Sequence, residues 1–156
     1  MDTIDLTLVD ALVANARITF ADLAERVGLS GPSTAERVRK LEERGIISGY
    51  SALLDAEAIG LGLAAFVSVT LESPKHRASF LAGIDAMPGV VECHHVAGDD
   101  DFLLKVHVTG TRDLEAFVTD GLKGLPGIAR TRTMVVLSTP LARPLTAHAP
   151  AEKIAG

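Results

Sequence analysis

The tetrapeptides Met87-Pro88-Gly89-Val90 and Leu125-Pro126-Gly127-Ile128 echo each other 38 positions apart, from 87 to 125. A proline followed by glycine stops a helix and opens a turn, so the chain must leave a helix and enter a strand twice. Residues 63–71 and 102–109, each ahead of one of these helices, are short runs rich in β-formers. The spacing predicts helices over 75–86 and 112–123 and closing strands over 90–97 and 128–138. This doubled βαβ unit is the ferredoxin-like plan, in which both helices cover one face of a four-stranded sheet. The other face then needs water or a partner. In residues 102–109, Leu104, Val106 and Val108 point one way and Leu103, Lys105, His107 and Thr109 the other. Met134-Val135-Val136-Leu137 is apolar on both parities, so this strand asks for cover on both sides. Packing two sheets face to face in a homodimer would supply it.

The first third of the chain follows a different period. Ile4, Leu8, Val9 and Leu12 define a helix over residues 3–15, with Asp2 or Thr3 as its cap. Thr19 caps a second helix with Asp22 three residues on, and Phe20, Leu23, Ala24 and Val27 supply its apolar stripe. Gly28 ends it, and Ser30 caps a third helix with Pro32 in the first turn. There Thr34, Val38, Leu41 and Gly45 share one side, while Ser33, Glu36, Arg37, Lys40 and Arg44 gather on the other. Two readings of this stretch stand side by side. One is a helix-turn-helix whose second helix enters a DNA major groove; the other is a helical hairpin with a solvated charged face. Residues 46–53 are β-rich and read as a strand or wing, which would complete a winged helix. The fold class is therefore α+β: a winged helix-turn-helix over 1–52, a hinge over 53–62, a ferredoxin-like domain over 63–138 and a tail over 139–156. The tail, with Pro140, Pro144 and Pro150, is a loose extension or a clasp on a neighbour.

Charge narrows the possible partners. The net charge of −5 argues against a protein that coats nucleic acid non-specifically. Residues 1–50 hold six Arg or Lys against eight Asp or Glu, so DNA affinity must come from where the charges point, with two or more copies acting together. No apolar run approaches the roughly 20 residues of a membrane span, and acidic Asp2 and Asp5 stand where a signal peptide would be basic, which points to the cytoplasm and away from a membrane. The single Cys93 cannot form an internal disulfide and reads as a small buried hydrophobe in a strand. His94 and His95 follow it, but neighbouring strand residues face opposite ways and do not readily share one ion. No nucleophile elbow or glycine-rich phosphate loop is present, so neither catalysis nor a metal or other cofactor is expected.

Four motifs together resemble the Lrp/AsnC family of transcription regulators over residues 2–138. They are Asp2-Thr3-Ile4-Asp5; Leu29-Ser30 through Glu36-Arg37-Val38-Arg39-Lys40-Leu41-Glu42; Gly45-Ile46-Ile47 to Tyr50; and Val91-Glu92-Cys93-His94-His95-Val96-Ala97-Gly98 with Asp101. The resemblance implies a DNA-binding regulator whose C-terminal domain takes an amino acid or similar small effector, built as dimers that assemble further, often to octamers. Carried over by position, Ser30, Ser33, Thr34, Arg37, Arg39 and Lys40 are the DNA-contacting set. Within it Arg37 and Lys40 are aimed at base edges and Arg39 at phosphate, whereas Thr34 sits on the packing face.

The same resemblance makes Gly98, Asp99, Asp100 and Asp101 the effector turn, its N–H groups receiving a carboxylate and its aspartate facing an amino group. Thr131 and Thr133 would add neutral hydrogen bonds from a neighbouring subunit. Asp100 stands where relatives commonly carry an aromatic residue. Three successive carboxylates favour a cationic effector such as a basic amino acid, and a merely solvated acidic hairpin stays open as an alternative.

Overall fold

The structure is a computed structural model that describes residues 1–148. It divides into two units: Met1–Ala52 together with residues 141–148, and Leu53–Pro140.

In the first unit α1 spans Thr3–Ala14, α2 Phe20–Val27 and α3 Gly31–Glu43. Asp2 caps α1 in a reciprocal box with Asp5, so two orphan N–H groups are satisfied at once. Thr19 accepts from the Asp22 N–H at the start of α2. Gly28, left-handed at φ 67°, ends that helix, and the Leu29 N–H returns to the Ala24 carbonyl. Leu8, Leu12, Leu23, Val38 and Leu41 make the core of this unit.

The expected wing is not formed. Residues 46–53 contain no strand. The N–H groups of Gly45, Ile46 and Ile47 bond to Glu42 and Leu41 carbonyls, so the donors a strand ladder would need close the end of α3 instead. Ile47 packs on the three-helix core, and its β-rich surroundings reflect a helix stop. Residues 147 and 148 of the tail reach Asp10 of α1, through the Ala147 N–H and the His148 imidazole. The described tail thus clasps its own chain, and residues 149–156 lie outside the described residues.

In the second unit β1 is Leu63–Leu71, α4 Arg77–Asp85 after a 3-10 turn at Pro74–His76, β2 Val90–His95, β3 Phe102–Val108, α5 Thr111–Ala116 and β4 Ile128–Val135. A wider π turn at Phe117–Gly121 and a tighter 3-10 turn at Leu122–Gly124 follow α5. The sheet order is β2-β3-β1-β4, with β1 antiparallel to both β3 and β4 and β2 antiparallel to β3, as the ferredoxin-like plan requires. Ala65, Val67, Val69, Leu104 and Val106 pack under Phe80, Ile84, Leu114 and Leu122 of the helical layer. The second echo closes tightly, since Gly127 (φ 82°) lies under the His76 ring and any Cβ there would fall 2.1 Å from its Cγ.

Residues opposite one another across strands share a face. Arg130, Arg132 and Met134 of β4 pair with Thr70, Ser68 and Phe66, which places them on the helix-free face together with Leu103 and Lys105. Thr131 and Thr133 pair with Val69 and Val67 and belong to the helix-covered side. Cys93 is exposed, not buried, because β2 is an edge strand covered from one direction only.

Candidate nucleic-acid interface and ligand turn

The free arc of α3 carries Ser33, Glu36, Arg39, Lys40 and Glu43, all exposed, opposite the buried Thr34, Val38 and Leu41. At its start Ser30 Oγ accepts from the Ser33 N–H at 3.4 Å and donates to Ser33 Oγ at 2.9 Å. The first turn is thereby fixed; Pro32 has no N–H and those of Ser33 and Thr34 are taken by Ser30, so the Gly31 N–H, the serine hydroxyls and the positive dipole end are what it offers a phosphate.

Two of the residues carried over as DNA contacts do not belong to this arc. Thr34 is wholly buried, and its Oγ1 donates to the Ser30 carbonyl at 3.0 Å; it is a core residue out of reach of DNA. Arg37 is not aimed at base edges. Its Nη1 donates to Asp2 at 2.8 Å and Asp5 at 2.7 Å, tying α3 to the capping box of α1. The Asp5 N–H, with Arg37 as its second partner, holds the Asp2 carboxyl below the usual carboxylate range.

Arg39 is enclosed by its own helix. Its Nε and Nη2 meet the two Glu36 oxygens at 2.9 and 2.7 Å, and Nη1 meets Glu43. Lys40 Nζ lies 3.5 Å from Glu36. Within α3 the arc carries two cations and two carboxylates that cancel, and Arg44, exposed at the helix end, adds a cation with no ion pair among the described residues.

The turn Gly98-Asp99-Asp100-Asp101 joins β2 to β3, with Gly98 at φ 149°. It is stitched to β1, because the Asp101 N–H donates to the Val69 carbonyl at 2.9 Å and the Leu71 N–H donates to Asp101 Oδ2 at 2.7 Å. Asp100, its side chain only 10% exposed, accepts from Thr70 Oγ1 at 3.0 Å, Arg130 at 3.1 Å and Arg132 at 2.6 Å. Thr70 first, and then the two guanidiniums, hold its carboxyl below the usual range. The turn is thus not an uncompensated triple anion: two guanidiniums against three carboxylates leave a net charge of −1 rather than −3, which weakens the charge argument for a basic effector. Within this chain Thr131 and Thr133 face away from the turn.

The cations that do face it, Arg130 and Arg132, are legible only through the strand's alternation combined with its register. Beside the turn, Leu71, Glu72, Pro74, Arg77, His95 and Asp101 line a cavity of about 340 Å³, large enough for a small molecule. His95 stacks on Phe102 with centroids 5.1 Å apart, while His94 pairs with Glu92 on the other face, so the adjacent imidazoles diverge. Among the described residues no three His, Cys, Asp or Glu side chains are grouped to hold a metal ion, and no helix is long and apolar enough to cross a membrane.

A capped helix-turn-helix unit followed by a ferredoxin-like unit with a cavity at its β-turn defines a DNA-binding regulator with a ligand domain. Known proteins share both parts. Residues 1–42 match the AsnC-type helix-turn-helix domain and residues 64–146 the Lrp/AsnC ligand binding domain. The chain is 39% identical over 139 residues to the leucine-responsive regulatory protein of Haemophilus influenzae, covering 88% of this chain and 84% of that one. Among solved structures, it is similar to a transcriptional regulator of Neisseria meningitidis in complex with L-methionine (TM-score 0.88, 32% identity, 92% and 94% of the two chains). It is also similar to a feast or famine regulatory protein of Mycobacterium tuberculosis complexed with L-methionine (TM-score 0.84, 37% identity, 90% and 95% covered). The chain belongs to the Lrp/AsnC family, and it is a DNA-binding transcriptional regulator with that family's ligand domain.

Proposed function

We propose that α3 lies in the major groove with Ser30 and Ser33 at its phosphate-binding start, Lys40 toward base edges and Arg39 toward the backbone. The exposed arc opposite a fully packed one carries this reading, since α3 is fixed on one side and free on the other. Gel-shift titration of Lys40→Ala on operator and on random duplex tests it: the operator loses more than the random sequence if Lys40 reads bases.

The ligand is an amino acid held at the cavity beside Asp101, with the Asp101 carboxylate toward its ammonium group and Arg77 toward its carboxylate. The partly compensated turn and the L-methionine complexes of two relatives support a neutral amino acid over a basic one. Calorimetry against the twenty amino acids separates the two, and binding confined to lysine and arginine would reject this choice.

The helix-free sheet face, with Phe66, Leu103 and Met134, is the surface of a homodimer that joins two helix-turn-helix units, and dimers assemble further toward an octamer. Light scattering measures this directly. The protein works in the cytoplasm, where its DNA is, and performs no catalysis.

A further inference from the structure

Glu36 stands near the middle of the free arc of α3, between Ser33 and Lys40, where a groove-lying helix comes nearest the bases. A carboxylate there is repelled by every phosphate it passes. The major-groove donors available to it are exocyclic amino groups, and the cytosine N4 amino group is the usual partner of a glutamate. The carboxylate is also held in a defined plane. Arg39 grips it with two parallel bonds of 2.9 and 2.7 Å, and Lys40 stands 3.5 Å away. Oε1 meets both Arg39 and Lys40, but Oε2 accepts from Arg39 Nε alone and keeps a second lone-pair direction free, so the group can accept from a base without giving up its cations.

We propose that Glu36 is a specificity-determining residue that accepts a hydrogen bond from cytosine in the operator half-site, with Arg39 as the positioning residue that orients its carboxylate. The proposal rests on the placement of α3 in the groove. The compensating cations lower the electrostatic cost of bringing a carboxylate into DNA, and Glu36 makes the arc discriminating where a purely cationic one would bind any duplex.

Selection from a duplex library with a randomised core, performed with the full-length wild type and with Glu36→Gln, Glu36→Asp and Glu43→Gln, tests it. The wild type should enrich cytosine at one position per half-site. Glu36→Gln should exchange that cytosine for adenine, the base a glutamine amide matches, with discrimination changing roughly tenfold or more. Glu36→Asp keeps the charge but not the reach, and should lose the cytosine without gaining adenine. Glu43→Gln removes the same charge and also loosens Arg39, but from the far end of the helix. It should tighten binding to all sequences and leave the preference unchanged. Identical preferences for wild type and Glu36→Gln, with affinity shifted equally on all DNA, would overturn the role of Glu36 and leave the groove reading standing. A wild type that enriches nothing overturns both. Unchanged melting curves of the Glu36 variants tie the result to recognition rather than folding.

Discussion

The DNA-facing arc of α3 and the turn between β2 and β3 look opposite in sequence, one rich in basic residues and the other a run of three aspartates, yet in each much of the charge is matched within its own unit. On α3 the cancellation is local: Glu36, Arg39, Lys40 and Glu43 meet at spacings of three and four along one helix. At the turn it is long-range, since Asp100 is matched by arginines some thirty residues away on β4. A count of charges therefore says little about which charge is free, and the two regions fail that count for different reasons.

Arg37→Ala should produce the largest effect, because Arg37 is a cation whose partners lie on another helix. Removing it leaves Asp5, only 14% exposed at its side chain, without a cation and loosens α1 from α3. The melting temperature of the helical unit should fall by roughly 4–8 °C, the scale of one good interaction lost from a small domain. The ratio of operator to random binding should stay unchanged, measured at a temperature where both proteins are folded. A relaxed ratio with an unchanged melting temperature would return Arg37 to the base-reading set.

Arg39→Ala comes next. It leaves Glu36 and Glu43 unscreened on the arc, so operator binding should weaken by roughly tenfold at moderate salt, with a shallower salt dependence. Glu36→Gln combined with Arg39→Ala should recover part of the loss on random DNA, because one of the two stranded carboxylates is gone. Titrations at several salt concentrations give both quantities.

The turn supplies the third effect, and it depends on pH. Asp100 is held below its ordinary value of 3.8 by Thr70 and by Arg130 and Arg132. A depressed carboxylate contributes stability that is fully present above its unfolded value and is lost as pH falls through the folded one. Sheet-unit stability should thus be insensitive to this group from neutral pH down to about 5 and decline below about 4. Asp100→Asn should flatten that decline, as followed by urea denaturation across the acid range. An equally steep decline in Asp100→Asn would mean that Arg130 and Arg132 do not compensate this carboxylate.

The features the sequence made legible are those with local causes. The three caps at Asp2, Thr19 and Ser30, the stop at Gly28 and the doubled strand-helix-strand order each rest on residues within a turn of one another. Thr34 was legible as a packing residue from its helical phase. The wing was misread because Ile46 and Ile47 are β-formers by composition, while the donors of residues 45–47 were already taken by α3. Arg37 and Asp100 were misread because their partners come from other elements, and a register or a crossing decides them.

The smallest effect concerns the remaining glutamate of this segment, Glu42, whose partner is a neutral group. Its carboxylate accepts from the Tyr50 hydroxyl at 2.8 Å, and burial followed by the Glu42 charge pushes the phenol up from 10.0 to about 12. The chain has one tyrosine and no tryptophan, so ultraviolet absorbance reports this group alone. At pH 11 about a tenth of Tyr50 should be ionised in the wild type, and a larger fraction in Glu42→Gln, where burial still raises the phenol but the Glu42 carboxylate no longer does. A phenol raised in the folded state contributes stability that is complete below pH 10 and is lost as pH rises toward 12. Tyr50→Phe should remove that alkaline dependence while leaving stability at neutral pH within about 1 kcal/mol of wild type. If Glu42→Gln leaves the phenol titration where it was, burial alone raises Tyr50, and Glu42 is the carboxylate of α3 whose charge is not absorbed within the helical unit.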